Sequence, residues 1–167
     1  SKGLSKVNKF FTVFLVIRRV AHETITISLM GEEWPSVSLE EWQHARESGQ
    51  TGWHLDHVNT NLVEYIEILT DGKQACRIFV PLCGKTMDLL WLVKQGHTVI
   101  GIEHIQKVIE DFFKENNVSF VKKAVDGYGH CYTAFDGKLK IFDCDYFKFN
   151  SSLASGNVDA IWDCNAL

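Results

Sequence analysis

The sequence predicts an α/β fold wound around a βαβ unit, on three observations. Arg77-Ile-Phe-Val-Pro-Leu-Cys-Gly-Lys85 is a short apolar run broken by Pro81 and Gly84 and followed at once by a helical pattern. It reads as a buried strand, a turn and a helix. A second apolar run, Thr98-Val-Ile-Gly-Ile102, ends on Glu103, a carboxylate roughly 20 residues past the glycine turn, where nucleotide-binding βαβ folds grip ribose hydroxyls. Then Ile105, Val108, Ile109, Phe112 and Phe113 recur at helical spacing, which completes a β-α-β-α order.

Length and composition bound the reading. The chain has 167 residues, enough for one domain with a core, and a formal charge of -4 without a basic stripe. Nucleic acid and an anionic membrane are not expected partners; a small molecule is. Five cysteines are an odd number with no CxxC pair, which argues against a disulfide framework and a zinc ribbon and for a reducing, cytoplasmic setting. The chain starts at Ser1 and stops at Leu167 just after a strand-like run, so it is read as a fragment.

In chain order, Phe10-Phe-Thr-Val-Phe-Leu-Val-Ile17 lies between lysines and Arg18-Arg19. It is too short to cross a bilayer, which takes about 20 helical residues, and a signal peptide would need a small-residue cleavage site. An extra strand or a leader outside the core domain is expected. Ser38-Leu-Glu-Glu41 has the form of a capping box and starts a helix that carries Trp42 and ends near Gly49, ahead of Trp53. Val58, Leu62, Tyr65, Ile66 and Leu69 mark the buried face of the next helix, closed by Thr70-Asp71-Gly72. After the first strand, Thr86 to Gln95 predicts a helix ended by Gly96, and Asn116-Asn117 ends the helix that follows Glu103. Asp136-Gly137 separates two alternating runs, Cys131 to Phe135 and Lys138 to Phe142, a hairpin signal whose second arm doubles as the third main strand. That strand runs into Asp143-Cys-Asp145-Tyr146. Val158 to Trp162 is the last strand; it lacks protective Pro or Lys, so its open edge and an unstable, inactive isolated chain are expected.

Several motifs can be weighed directly. Gly84-Lys85-Thr86 resembles the end of a phosphate loop, but Phe79 stands where that loop needs a glycine. The G-x-G-x-x-G dinucleotide fingerprint is also missing, because Gly84 is alone. One glycine with Glu103 retained favours a ligand with ribose but no pyrophosphate, such as S-adenosylmethionine, over NAD. Glu103 and Asp145 each have a plainer reading as a helix cap. Together, at the ends of parallel strands, they would hold ribose and lie near adenine. His54 and His57 lack an acidic partner at metal-site spacing, so no metal is expected. Cys83 is expected to be small and buried. Trp42 and Trp53 read as core residues or as a lid over the first strand's end.

Pro81-Leu-Cys-Gly-Lys85 with Gly96-His-x-Val-x-Gly-x-Glu103 resembles the thiopurine S-methyltransferase family of class I, S-adenosyl-L-methionine-dependent methyltransferases. Leu39-Glu-Glu-Trp-Gln43, Phe112-Phe-x-Glu-Asn116, Ala160-Ile-Trp-Asp163 and Ala166-Leu167 extend the likeness. The resemblance implies a Rossmann-like doubly wound sheet, cut here after about its fourth strand, with residues 1–37 outside and 38–167 a partial methyltransferase domain. It implies methyl transfer to the sulfur of small aromatic or heterocyclic thiols by a cytoplasmic enzyme, monomeric when complete. It places Leu82, with Gly84 in the same turn, and Glu103 on the methyl donor, Asp145 and Tyr146 on the adenine side, Trp42 as a lid and Trp53 facing the acceptor. No catalytic base is implied. Where the family reads Arg-Gly, this chain has Cys164-Asn165, which removes a cation expected near cofactor and acceptor. The alternatives are a methyltransferase of the same fold acting on another small nucleophile, and a non-catalytic binding module.

Overall fold

The computed structural model describes residues 10–20, 23–34 and 56–163. Two strands come first, β1 (Phe10–Val20) and β2 (Glu23–Trp34), then helix α1 (Thr60–Thr70) and strand β3 (Arg77–Val80). Next are α2 (Asp88–Lys94), β4 (Thr98–Ile102), α3 (Gln106–Glu115), β5 (Val121–Val125), β6 (Gly129–Ala134), β7 (Leu139–Asp143) and β8 (Ala160–Asp163). The predicted helix over Ser38 to Gly49, with Trp42, and the position of Trp53 lie outside the described residues.

All eight strands join one sheet in the order β2-β1-β8-β3-β4-β7-β6-β5. Its centre, β8-β3-β4-β7, is parallel. Parallel neighbours need crossover connections, and α2 and α3 supply them between β3, β4 and β7. Side chains alternate across the pleat as a strand requires. Ile78, Val80, Val99, Leu139, Ile141, Ala160 and Trp162 pack with buried residues of α1, α2 and α3 on one face. Phe79, Ile100, Ile102 and Phe142 form a second, smaller core on the other face. There the cover is the irregular segment between β7 and β8, with Phe149 stacked on Phe79 at 5.3 Å.

The predicted helices that fall among the described residues are present, and their ends have local causes. Asn59 caps α1 by accepting from Asn61 N, and Asp71 closes it in the left-handed region. Gly96, at φ +99, ends the turn after α2. α3 buries Ile109, Phe112 and Phe113, each contributing roughly 1.5–3 kcal/mol. Phe113 stacks on Phe120 at 4.7 Å.

The four predicted main strands form the parallel centre, flanked by antiparallel strands that include the extra strand expected at Phe10–Ile17, here β1, and the hairpin arm β6. Two features differ from expectation. The outer edge of β8 is not open, since β1 pairs with it antiparallel, with Leu15 opposite Asp163 and Arg18 opposite Ala160. β5 was not predicted; its first four residues are exposed and show no apolar alternation, and pairing with β6 holds it in the sheet. The predicted Asp136-Gly137 hairpin is present, with Asp136 at φ 51 and Gly137 at φ 88 making the turn.

His97, in the motif before β4, is a buried structural group. Its Nδ1 accepts from Cys76 N at 3.2 Å, so the imidazole must be neutral at that nitrogen. Burial, and then the Lys138 charge, push its pKa below the ordinary 6.5. A histidine with a depressed folded pKa contributes stability that is present above the unfolded value and lost as pH falls through the folded one. Urea unfolding should therefore show wild type losing stability relative to His97→Gln below about pH 6.5. A difference that stays constant from about pH 7.5 to 5 would contradict this.

Candidate functional site

The site is built where β3, β4 and β7 end side by side. After Val80 the chain makes a tight turn in which Leu82 (φ 41) and Gly84 (φ 51) both take left-handed backbone conformations. Cys83 is buried in that turn, as expected. Its N–H donates to Ile102 O at 2.8 Å, which ties the turn to the end of β4. Gly101 is required beneath it, because a Cβ there would lie 2.8 Å from Cys83 Sγ. Leu82 is thrown outward and is 41% exposed, costly for a leucine in a left-handed conformation unless the surface is used. Lys85 does not face the strand ends as a phosphate ligand would; its Nζ pairs with Glu115 at 2.9 Å.

Glu103 follows β4 directly. Its N–H donates to Phe142 O at 3.0 Å, which holds the ends of β4 and β7 together. Its side chain is buried. Oε1 accepts from Ile105 N at 2.9 Å, the cap anticipated as its plainer role, while Oε2 has no protein donor among the described residues. A buried carboxylate oxygen without a donor costs free energy unless a ligand or water supplies one. Glu103 is thus both a cap and an open acceptor.

Beyond β7, Asp145 starts a short 3-10 turn, Tyr146–Lys148. Asp145 Oδ1 accepts from Phe147 N at 3.0 Å, and Oδ2 lies 3.9 Å from Lys148 Nζ. One oxygen is therefore engaged by its own turn, while Oδ2 lies too far from Lys148 for a hydrogen bond. Tyr146 is half-exposed, and Phe147 beside it is almost fully exposed. Between the two acids, the Cys144 thiol is pushed up to about 11 by burial and by the charges of Asp143 and Asp145, so it is a neutral thiol at physiological pH.

The structure thus brings Leu82, Gly84, Glu103, Asp145 and Tyr146 to one end of the sheet. Trp42, Trp53 and Cys164 lie outside the described residues. Sequence reasoning passed over Asp143, the last residue of β7, which lies in register beside Glu103. The visible signal was its place one strand-end over from Glu103, but its burial was not legible. Among the described residues no three His, Cys, Asp or Glu side chains gather as a metal ion would need, and no helix is long and apolar enough to cross a membrane.

The thiopurine S-methyltransferase family model matches residues 37–167, the stretch that contains every strand end of this site. The chain belongs to the thiopurine S-methyltransferase family. It is 38% identical over 133 residues to a probable thiopurine S-methyltransferase of Danio rerio, covering 78% of this chain and 57% of that protein. To the thiopurine S-methyltransferase of Bos taurus it is 31% identical over 149 residues, 83% of this chain and 60% of that one. A bacterial relative, from Legionella pneumophila strain Corby, is 36% identical over 126 residues, 75% of this chain and 55% of its own. The chain therefore spans little more than half the length of these curated relatives. β1 and β2 precede the part that the family model matches, so the pairing of β1 with β8 adds strands from outside the matched stretch.

Proposed function

We propose that this thiopurine S-methyltransferase family chain carries the donor-binding part of an S-adenosyl-L-methionine-dependent enzyme that methylates the sulfur of small aromatic or heterocyclic thiols. The observation that carries the reading is Glu103, buried at the end of β4 with one oxygen capping α3 and the other without a protein donor. A ribose hydroxyl is the group such an oxygen suits. The single-glycine turn fits the same donor, which has no pyrophosphate to be wrapped in backbone N–H groups. When bound, the donor supplies a methyl group already activated on a sulfonium.

The chain's own residues then bind and align. Glu103 holds the ribose, the outward Leu82 offers apolar surface at the β3 end, and Tyr146 offers a ring face beyond β7. Trp42 closes over the donor and Trp53 faces the acceptor. No residue is needed as a base, because an aromatic thiol is largely thiolate at neutral pH. Alignment of donor and thiolate can supply about 7–11 kcal/mol of the barrier. A cytoplasmic location agrees with five cysteines, an odd number without a CxxC pair. The partner is the small thiol, with no nucleic acid or membrane, and the complete enzyme is monomeric.

A second reading keeps the fold and donor but changes the acceptor to another small nucleophile. It is favoured by Cys164-Asn165, which stand where the family has Arg-Gly. Calorimetry with S-adenosylmethionine and with NAD tests the donor: saturable binding of the first and none of the second is expected, and the reverse overturns the reading. A panel of aryl thiols, amines and phenols then separates the two acceptors.

A further inference from the structure

We infer that Lys85 is a positioning residue for the donor-binding turn after β3, acting through an ion pair with Glu115, the last residue of α3; this rests on the donor proposed above. Lys85 directly follows Gly84, where a phosphate-binding loop would point its cation at a ligand. Here Nζ lies 2.9 Å from Glu115 Oε1 and 3.0 Å from Oε2, across 30 residues of chain. The lysine side chain is mostly covered, at 19% exposure against 56% for the glutamate. A covered stem has already given up its rotamer freedom, so this pair asks for less ordering than one between two loose surface side chains.

The turn needs a tie on that side. Leu82 is held in the left-handed region at φ 41, which is unfavourable for a leucine and persists only where its surroundings fix it. Two backbone hydrogen bonds hold Cys83: its N–H donates to Ile102 O at 2.8 Å, and its carbonyl accepts from Thr86 N at 3.2 Å. Lys85 is fastened to α3 instead. The turn is therefore held to β4 at Cys83 and to α3 at Lys85.

α3 is a firm support for the second tie. It buries Ile109, Phe112 and Phe113. Its end is closed by Asn116 Nδ2 donating to Phe112 O at 2.8 Å and by Val118 N–H donating to Phe113 O at 2.9 Å. The Glu115 backbone is thus set before any ligand arrives. With the pair made, the donor meets a turn already in its binding shape, which spares the ordering cost that would otherwise be subtracted from affinity. Without the pair the fold persists, but the turn samples other conformations and only a fraction of the chain is ready to bind.

Calorimetric titration of the chain with S-adenosylhomocysteine tests this. Lys85→Met, which keeps most of the stem and removes the charge, and Glu115→Gln should each weaken binding about threefold, the scale of one partly exposed ion pair. The two substitutions together should lose no more than either alone, because both remove the same interaction. Lys85→Arg keeps the charge and should bind like wild type. Thermal unfolding without ligand confirms that each variant is folded at the titration temperature. A pair that only stabilises the fold would lower the thermal midpoint and leave the affinity of the folded variants unchanged, which overturns the inference. So does a loss in Lys85→Met that Glu115→Gln does not share, since the lysine would then touch the ligand itself. In either case the donor reading stands. If wild type binds neither S-adenosylhomocysteine nor S-adenosylmethionine, both fail.

Discussion

Glu103→Ala is expected to weaken S-adenosylmethionine binding by about ten- to a hundredfold, the equivalent of losing one hydrogen bond to a charged acceptor at about 1.5–3 kcal/mol. The side chain has two tasks, and substitutions can separate them. Oε1 caps Ile105 N at the start of α3, so the alanine variant should also unfold slightly earlier. Glu103→Gln keeps an amide oxygen for the cap but replaces the open acceptor with an N–H, and should lose affinity with little loss of stability. Measuring the donor dissociation constant and the thermal midpoint of both variants checks this. Unchanged affinity in Glu103→Ala would remove the ribose assignment.

The largest effect on stability is expected at Asp88. This residue is 1% exposed and joins three elements distant in sequence. Oδ1 accepts from Asn59 N at 2.8 Å, at the start of α1. Oδ2 accepts from Trp162 Nε1 at 2.8 Å, in the middle of β8. Asp88→Ala removes both acceptors from buried donors, at about 1–3 kcal/mol each, and so should cost about 2–5 kcal/mol in urea unfolding.

The pH dependence has a definite sign. Burial outweighs the hydrogen bonds and raises the Asp88 pKa above 3.8. A group with a raised folded pKa contributes stability that is full below the unfolded value and declines as pH rises through the folded one. The stability of wild type minus that of Asp88→Asn should therefore shrink as pH rises above about 4 and then level off. A difference independent of pH would show that Asp88 titrates alike in the folded and unfolded chain.

The donor-site assignments divide along the same line as the fold. Glu103 could be singled out because its evidence is local, an apolar strand, a carboxylate at its end and a glycine turn before it. Asp145 presented the same pattern, but a cap and a ligand are spelled identically in sequence; only the 3.0 Å contact with Phe147 N shows one carboxylate oxygen engaged. Asp143 read as the last residue of a strand. Its burial, its pairing with His130 and its place beside Glu103 all arise from the register between β4, β7 and β6. β5 escaped notice because its side chains are exposed and its pairing energy comes from backbone hydrogen bonds to β6, which leave no apolar period to find.

The sequence by itself determined the alternation of β3, β4 and β7 with α2 and α3, the single-glycine turn, the carboxylate after β4 and the family. Each of these is written within a window of a few turns, where side-chain periodicity and turn chemistry act. Tertiary structure alone decided that β1 pairs with β8, that Asp88 binds Trp162 across the chain, and that Glu103, Asp143 and His130 form one row. Those contacts join residues far apart in sequence, and strand register, which sets them, depends on the packing of the whole sheet.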